Sequence, residues 1–490
     1  MIRMSQDPSD TAVTRRTALA GALGTAAALS LGGPALAQPS RPRKPNVLYI
    51  MADDLGYADL SCYGRRDYTT PVLDRLASQG MMFTHAYANS AVCTATRVAL
   101  ITGRYQYRLP VGLQEPLGAA DLGLPPASEH PTMPSLMQQA GYATTLVGKW
   151  HMGGLPKFGP LKSGYDEFYG LYGGGIDYYR HGFGGRVDLW DGATRVDQAG
   201  YATDMMGDAA IRTLERRKAD GKPFFISLHF TAPHWPWESP DADGKAESDR
   251  LAGTGIGGGL GGGIQDYDGG TLATYARMVR SMDANIGRVL ARLSQLGFER
   301  DTIVVFTSDN GGERFSDTWP FTGKKTELLE GGLRIPAIVR WPGVVAGGSH
   351  STAPMISMDW LPTFVGIGGG RVDPAYPSDG VDIRPALAGG PLPERTFFWR
   401  FGNKHQRAVR RGPMKYLKIN DNEFLFDVVA DPLERANLKA RMPAKFAELK
   451  TAWEAWDATM LHTAEPSSGN TPDHLADHFA PQPGPAGPEG

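Results

Sequence analysis

Cysteine is almost absent: Cys62 and Cys93 are the only two in 490 residues, so no disulfide framework can build the fold. Charge of one sign is also lacking. The 50 basic and 52 acidic side chains leave a net of -2, which excludes the basic field that nucleic-acid binding needs. Past the N-terminal region, no apolar run reaches the ~20 residues of a membrane span, so stable membrane insertion is excluded. No internal repeat is visible. What the chain does have is 62 glycines and 37 prolines, the mark of many turns and irregular connections. With 41% hydrophobic residues and 10 tryptophans it has enough apolar surface for a large core, which excludes global disorder. The length predicts two or more packed units.

The N-terminus reads as a targeting segment. Arg15-Arg16 precedes an alanine-rich apolar stretch, Thr17 to Leu31, and then the small-residue pattern Ala35-Leu36-Ala37. Gly21, Gly24, Gly32, Gly33 and Pro34 interrupt the stretch, which disfavours a membrane anchor. Residues 1–37 are expected to be a twin-arginine export signal, with the mature chain starting near Gln38 in the periplasm or secreted. In an exported chain Cys62 and Cys93 have the composition for one disulfide. Spacing alone leaves that open beside a catalytic role for Cys93. Twin-arginine export carries folded proteins, so Cys93 can be modified before it crosses.

Apolar runs and helical patterns alternate through most of the chain. Asn46 to Met51, Met81 to Phe83, Ala143 to Val147, Pro223 to Phe230 and Thr302 to Thr307 read as strands. Thr70 to Gln79, Arg97 to Thr102, Met133 to Ala140, Ala202 to Arg217 and Leu272 to Leu296 read as helices. This predicts an α/β fold: a large, mostly parallel sheet sandwiched by helices, over residues 38–384. The character changes near Pro385. Thr396 to Arg400, Met414 to Ile419 and Glu423 to Val429 read as strands, and Ala444 to Met460 as a helix after Pro443. Residues 385–464 are therefore expected to form a smaller subdomain of antiparallel sheet plus helix. The glycine-rich stretch from Gly253 to Gly263 reads as a surface loop, and residues 465–490 as a disordered tail.

The chemistry gathers where apolar strands end. Asp53 and Asp54 follow one strand, and Asp309 and Asn310 follow another. Acidic residues after a strand more often just cap a turn or helix. Two such pairs at strand ends point instead to an oxygen-rich site for calcium or magnesium. Zinc would favour histidine or cysteine ligands. Gly148-Lys149-Trp150-His151 follows a third strand, Ala232-Pro233-His234 a fourth, and Lys325 precedes Glu330-Gly331-Gly332. Cations and imidazoles beside a metal suit a polyoxygen anion, sulfate or phosphate.

Taken together, these segments resemble the formylglycine-dependent type I sulfatases of the alkaline phosphatase superfamily. The resemblance runs from about Lys44 to about Leu438. The family's cysteine–any–proline–any–arginine motif matches at Cys93 and Arg97, with Ala95 where proline is usual. Ala52-Asp53-Asp54-Leu55-Gly56, Gly148 to Gly153, Ala232 to Pro236, Ser308 to Gly312 and Lys325 to Pro336 match further family segments in order. Phe426-Asp427 with Asp431 to Glu434 and Asn437-Leu438 resembles its C-terminal signature.

The resemblance implies that Cys93 is oxidised to formylglycine by a formylglycine-generating enzyme. One hydroxyl of its hydrate would then attack the sulfur of a small-molecule or glycan sulfate ester. It implies a Ca2+ ion, with Mg2+ the alternative, on Asp53, Asp54, Asp309, Asn310 and the modified Cys93. Arg97 and Lys149 would steady the diol. His234 and Lys325 would protonate the leaving oxygen, and His151 would take the proton that releases sulfate. Two alternatives stay open: a phosphonate or phosphate monoester hydrolase of the same superfamily, and a non-catalytic sulfated-glycan-binding protein if Cys93 stays a thiol. Trp235, Trp237, His85, His181 and His229 are expected to pack structurally, and the stretch Tyr165 to Tyr201 to form one wall of a substrate pocket.

Overall fold

The computed structural model describes residues 44–118, 121–183, 186–253 and 269–462. The expected signal, the glycine-rich stretch beyond Gly253 and the C-terminal tail lie outside those residues.

A ten-stranded sheet organises the larger part. In chain order its strands are β1 (Asn46–Ala52), β2 (Met81–Phe83), β3 (Ala143–Lys149), β4 (Glu167–Leu171), β5 (Trp190–Asp191), β6 (Thr194–Arg195), β7 (Phe224–His229), β8 (Thr302–Ser308), β9 (Ala337–Arg340) and β10 (Ser349–Ser351). Across the sheet they run β10-β2-β9-β8-β1-β7-β3-β4-β5-β6. The five central strands, β8, β1, β7, β3 and β4, are mutually parallel. Antiparallel pairs β8–β9, β9–β2, β4–β5 and β5–β6 extend the sheet towards both edges.

Every residue of β1, β7 and β8 is buried, with both faces covered, which is why they read as largely apolar runs. Val47, Tyr49 and Met51 of β1 face the core formed with helices α2 (Cys93–Thr102), α3 (Met133–Gln139) and α8 (Trp360–Ile367). Leu48 and Ile50 face the other way, towards α1 (Pro71–Ser78), α4 (Ala202–Asp220) and α6 (Leu272–Gln295). The period of two along one strand thus serves two helical layers. Between α4 and α6 in sequence lies the mostly polar α5 (Ala242–Gly253), and α7 (Glu330–Leu333) is a single turn.

The C-terminal part is a four-stranded antiparallel meander, β11 (Thr396–Phe401), β12 (Gln406–Arg411), β13 (Met414–Ile419) and β14 (Asn422–Asp427). Helix α9 (Pro443–Asp457) packs Leu449, Trp453 and Trp456 onto it. The sequence pattern missed β12. Gln-Arg-Ala-Val-Arg-Arg carries too much charge to look like a buried strand, yet Arg410 is itself buried against Tyr87. The same core takes in Tyr87, Leu328 and Leu329 from the larger part, so the small sheet sits directly on the segment that follows Lys325.

Candidate active site

Parallel strands deliver the first groups. Asp53 and Asp54 follow the last residue of β1, Asp309 and Asn310 follow β8, and Lys149 ends β3. Since β8, β1, β7 and β3 are neighbours in one parallel array, their carboxyl ends open on one edge. Cys93 is the first residue of α2, four residues earlier than the helical pattern suggested, and Arg97 lies one turn on along the same face. Ala95 precedes the first backbone donor of the helix, Thr96, whose N–H reaches the Val92 carbonyl at 3.3 Å. A proline at 95 would therefore forfeit no helix hydrogen bond.

These groups interlock, and all are buried. Arg97 donates from Nε (3.1 Å) and Nη2 (2.8 Å) to Asp309 Oδ2, and from Nη1 to the Lys149 carbonyl (3.0 Å). Lys149 Nζ lies 2.5 Å from Asp53 Oδ2, and Lys325 Nζ 2.5 Å from Asp54 Oδ2. His234 Nε2 lies 3.5 Å from that same Asp54 oxygen. Asn310 Nδ2 donates to Asp54 Oδ1 at 2.8 Å. His151 Nδ1 is 3.4 Å from Cys93 Sγ, and its Nε2 is 3.3 Å from the Leu117 carbonyl. All ten predicted site positions, from Asp53 to Lys325, fall in this one network.

The oxygen donors fit a hard cation. Asp53 Oδ1 and Asn310 Oδ1 are buried with no hydrogen-bond partner among the described residues. Asp53, Cys93 and Asp309 each offer a ligand atom within 4.8 Å of the others, as do Asp53, Asp54 and His234. Orphaned buried oxygens among clustered carboxylates are costly unless a cation completes them. Burial and the neighbouring Asp309 push the Asp53 carboxyl well above its usual range, against the pull of Lys149.

Protonation states follow from burial and charge. Burial raises the Cys93 thiol, although Lys149 pulls the other way, so an unmodified Cys93 is a poor nucleophile at neutral pH. Burial, reinforced by Lys149 and Arg97, holds His151 well below its usual range as a neutral imidazole. Burial together with Lys325 and Lys149 does the same to His234. Burial disfavours the Lys325 ammonium, but Asp54 and Glu313 outweigh it and keep the lysine protonated.

Cys62 and Cys93 are both free, so the disulfide left open by composition is not formed. Trp237 packs in the core against Tyr275 and Phe315, while Trp235 lies against the His234 ring, centroids 4.3 Å apart. His181 meets the Gly200 carbonyl, and His229 meets the Lys149 carbonyl at 3.3 Å. The expected pocket wall does reach the site. Gly174 lies so near His151 that a Cβ there would fall 2.3 Å from the ring, and Tyr178 Oη donates to the His234 carbonyl at 2.9 Å. Residue patterns missed Glu313, 3.8 Å from Lys325 Nζ, and the Leu117 carbonyl against His151. Glu313 follows Gly311-Gly312 directly, which was a usable signal; a backbone carbonyl leaves none.

The sulfatase family profile matches residues 45–370. The chain belongs to the sulfatase family. It is 31% identical over 408 residues to N-acetylgalactosamine-6-sulfatase of Sus scrofa, covering 78% of this chain and 73% of that protein. It is 30% identical over 438 residues to human arylsulfatase A, covering 80% and 78%. Among solved structures, Ps i-CgsB in complex with k-i-k-neocarrahexaose superposes with a TM-score of 0.73 at 28% identity, over 86% of this chain and 96% of that one. This sulfatase is accordingly a hydrolase of sulfuric esters on an alkaline phosphatase-like fold, and the network around Cys93 is its candidate active site.

Proposed function

We propose that the chain hydrolyses aryl or carbohydrate sulfate monoesters through a formylglycine made from Cys93, with Ca2+ held by Asp53, Asp54, Asp309, Asn310 and the modified side chain. The observation that carries this is the convergence of three carboxylates, three cationic side chains and two imidazoles on one cysteine. When present, formylglycine supplies a hydrated aldehyde with two hydroxyls, and Ca2+ offsets negative charge on the sulfate oxygens.

The chain's own groups do the rest. Arg97 and Lys149 place fixed positive charge beside residue 93, where charge grows as sulfur is attacked. Arginine's fork fixes orientation, and lysine adds a compact charge. Asp309, within ligand reach of Cys93, accepts the proton of the attacking hydroxyl. Lys325 and His234 converge on Asp54 Oδ2 and share protonation of the leaving oxygen; Lys325 carries the proton at neutral pH. Neutral His151 donates a hydrogen bond from Nε2–H to the Leu117 carbonyl, so its Nδ1 lone pair faces residue 93 and can accept the proton whose removal expels sulfate. Gly174 packs against that ring so closely that any larger side chain would collide with it.

Arg15-Arg16 and Ala35-Leu36-Ala37 support twin-arginine export to the periplasm after maturation. The test pairs mass spectrometry of the peptide from Asn89 to Arg97 with turnover of an aryl sulfate. Formylglycine at 93, and a folded but inactive Cys93→Ala, are expected. Wild-type turnover in Cys93→Ala sinks the mechanism. Faster turnover of an aryl phosphonate ester than of the sulfate selects the phosphonate hydrolase. An unmodified thiol in protein from its own host, without turnover, selects the binding protein.

A further inference from the structure

Three site-forming side chains or their neighbours hold backbone angles that L-residues rarely adopt: Asp54 (φ 61°), His151 (φ 55°) and Thr326 (φ 73°). Aspartate and histidine visit the left-handed region with some frequency. A β-branched threonine there is a genuine outlier, and such strain persists only where surrounding structure over-determines it. Thr326 follows Lys325 directly, so its φ sets how the chain leaves the lysine that meets Asp54.

Two clamps hold this peptide. On one side the Thr326 N–H donates to the Ala91 carbonyl at 2.9 Å, two residues before Cys93. On the other side is a single residue of the small C-terminal sheet, Gln406, the first residue of β12, 1% exposed. Its Nε2 donates to the Thr326 carbonyl (2.8 Å) and to the Asn403 carbonyl (3.1 Å), while its Oε1 accepts the Leu328 N–H (2.8 Å). One backbone N–H and two carbonyls around a carboxamide admit only one orientation of that group, so the assignment is fixed by its partners. Lys325 itself is tied back through its N–H to the Gly312 carbonyl at 2.9 Å, next to Asn310-Gly311.

We infer that Gln406 is a positioning residue for the reaction: its carboxamide holds Thr326 in the left-handed conformation and thereby aims Lys325 at the cation site. The inference rests on the reading of Lys325 as a cation of that site. It gives the C-terminal sheet a share in catalysis without any contact with substrate.

The decisive experiment is a rescue. Gln406→Met keeps the side-chain volume and removes all three hydrogen bonds. It is expected to lower kcat for an aryl sulfate by about tenfold to a hundredfold, the effect of a small misplacement of a catalytic group. Glycine adopts a φ of this kind without strain. Gln406→Met/Thr326→Gly should therefore recover to within about threefold of Thr326→Gly alone. Rates are normalised to the formylglycine content at residue 93. A double variant as slow as Gln406→Met, or a Gln406→Met at full kcat, overturns the inference. Should Gln406→Met fail to fold, Gln406→Glu takes its place under the same criterion: it keeps the acceptor for Leu328 and loses the donor to Thr326. A wild type without sulfatase turnover sinks the functional reading instead. The clamp is then read from hydrogen exchange, where the Leu328 amide must exchange faster in Gln406→Met than in wild type; an unchanged rate overturns it.

Discussion

Lys149→Met isolates one charge at the site. The Lys149 Nζ–Asp53 Oδ2 pair is 2.5 Å long and both side chains are 0% exposed. Without it, Asp53 Oδ2 retains Arg97 at 3.9 Å, and Oδ1 has no hydrogen-bond partner among the described residues. Methionine keeps the stem and roughly the volume, so the change is electrostatic. Breaking a buried pair on one side costs about 3–5 kcal/mol of stability. A divalent cation on Asp53 stabilises either protein, by about 2.7 kcal/mol at a hundred times its Kd, so it narrows that loss only as far as the variant binds it more tightly. Catalysis should suffer separately: loss of a preorganised partner for developing negative charge costs about 2.7–4 kcal/mol of barrier, or roughly 10²- to 10³-fold in kcat. Cation affinity should move the other way, because the lost charge repels the ion. The assays are kcat at saturating Ca2+, calorimetric titration of Ca2+, and thermal midpoints with and without chelator. A kcat within about threefold of wild type refutes the reasoning; so does an affinity that falls with kcat, since Lys149 would then merely support the ligand set.

Lys415 lies 2.9 Å from both Glu330 and Glu434, all three with fully buried side chains. Lys415→Met should cost about 3–5 kcal/mol in urea unfolding, and adding Glu434→Gln should return part of it; equal loss in the single and double variants contradicts this. Burial, with Arg334 and Arg410 nearby and Glu330 opposing, holds His85 down to about 3 from 6.5. The unfolded chain therefore binds a proton that the folded chain refuses between those values, and stability falls as pH drops through that window. His85→Gln should flatten the decline by one proton, read from urea midpoints at several pH values; an unchanged slope rules it out.

The centre of the sheet was legible because both faces of β1, β7 and β8 are covered, which leaves largely apolar runs in the sequence. The site was legible because Asp53 and Asp309 directly follow β1 and β8, and Lys149 ends β3. The rest escaped for physical reasons. Arg410 is a buried charge that pairs with Tyr87, far away in sequence, so β12 looked like surface. The start of α2 at Cys93 was hidden because Val92 offers no side-chain cap. Gln406 acts on backbone atoms of residues 326 and 328, some 80 positions away, and pairing of that kind leaves no mark in local composition.

The burial of Cys93 has a kinetic side. At 2% exposure, the thiol in the finished fold is closed to any enzyme that would oxidise it. The sheet that buries it needs β8, which pairs with β1 and starts at Thr302, 209 residues after Cys93 (302 − 93). At ~5–20 residues synthesised per second, those residues take roughly 10–40 s to emerge. On the proposed formylglycine reading, conversion of Cys93 would compete with elongation, and lengthening that interval would raise the converted fraction without touching Cys93 or its neighbours.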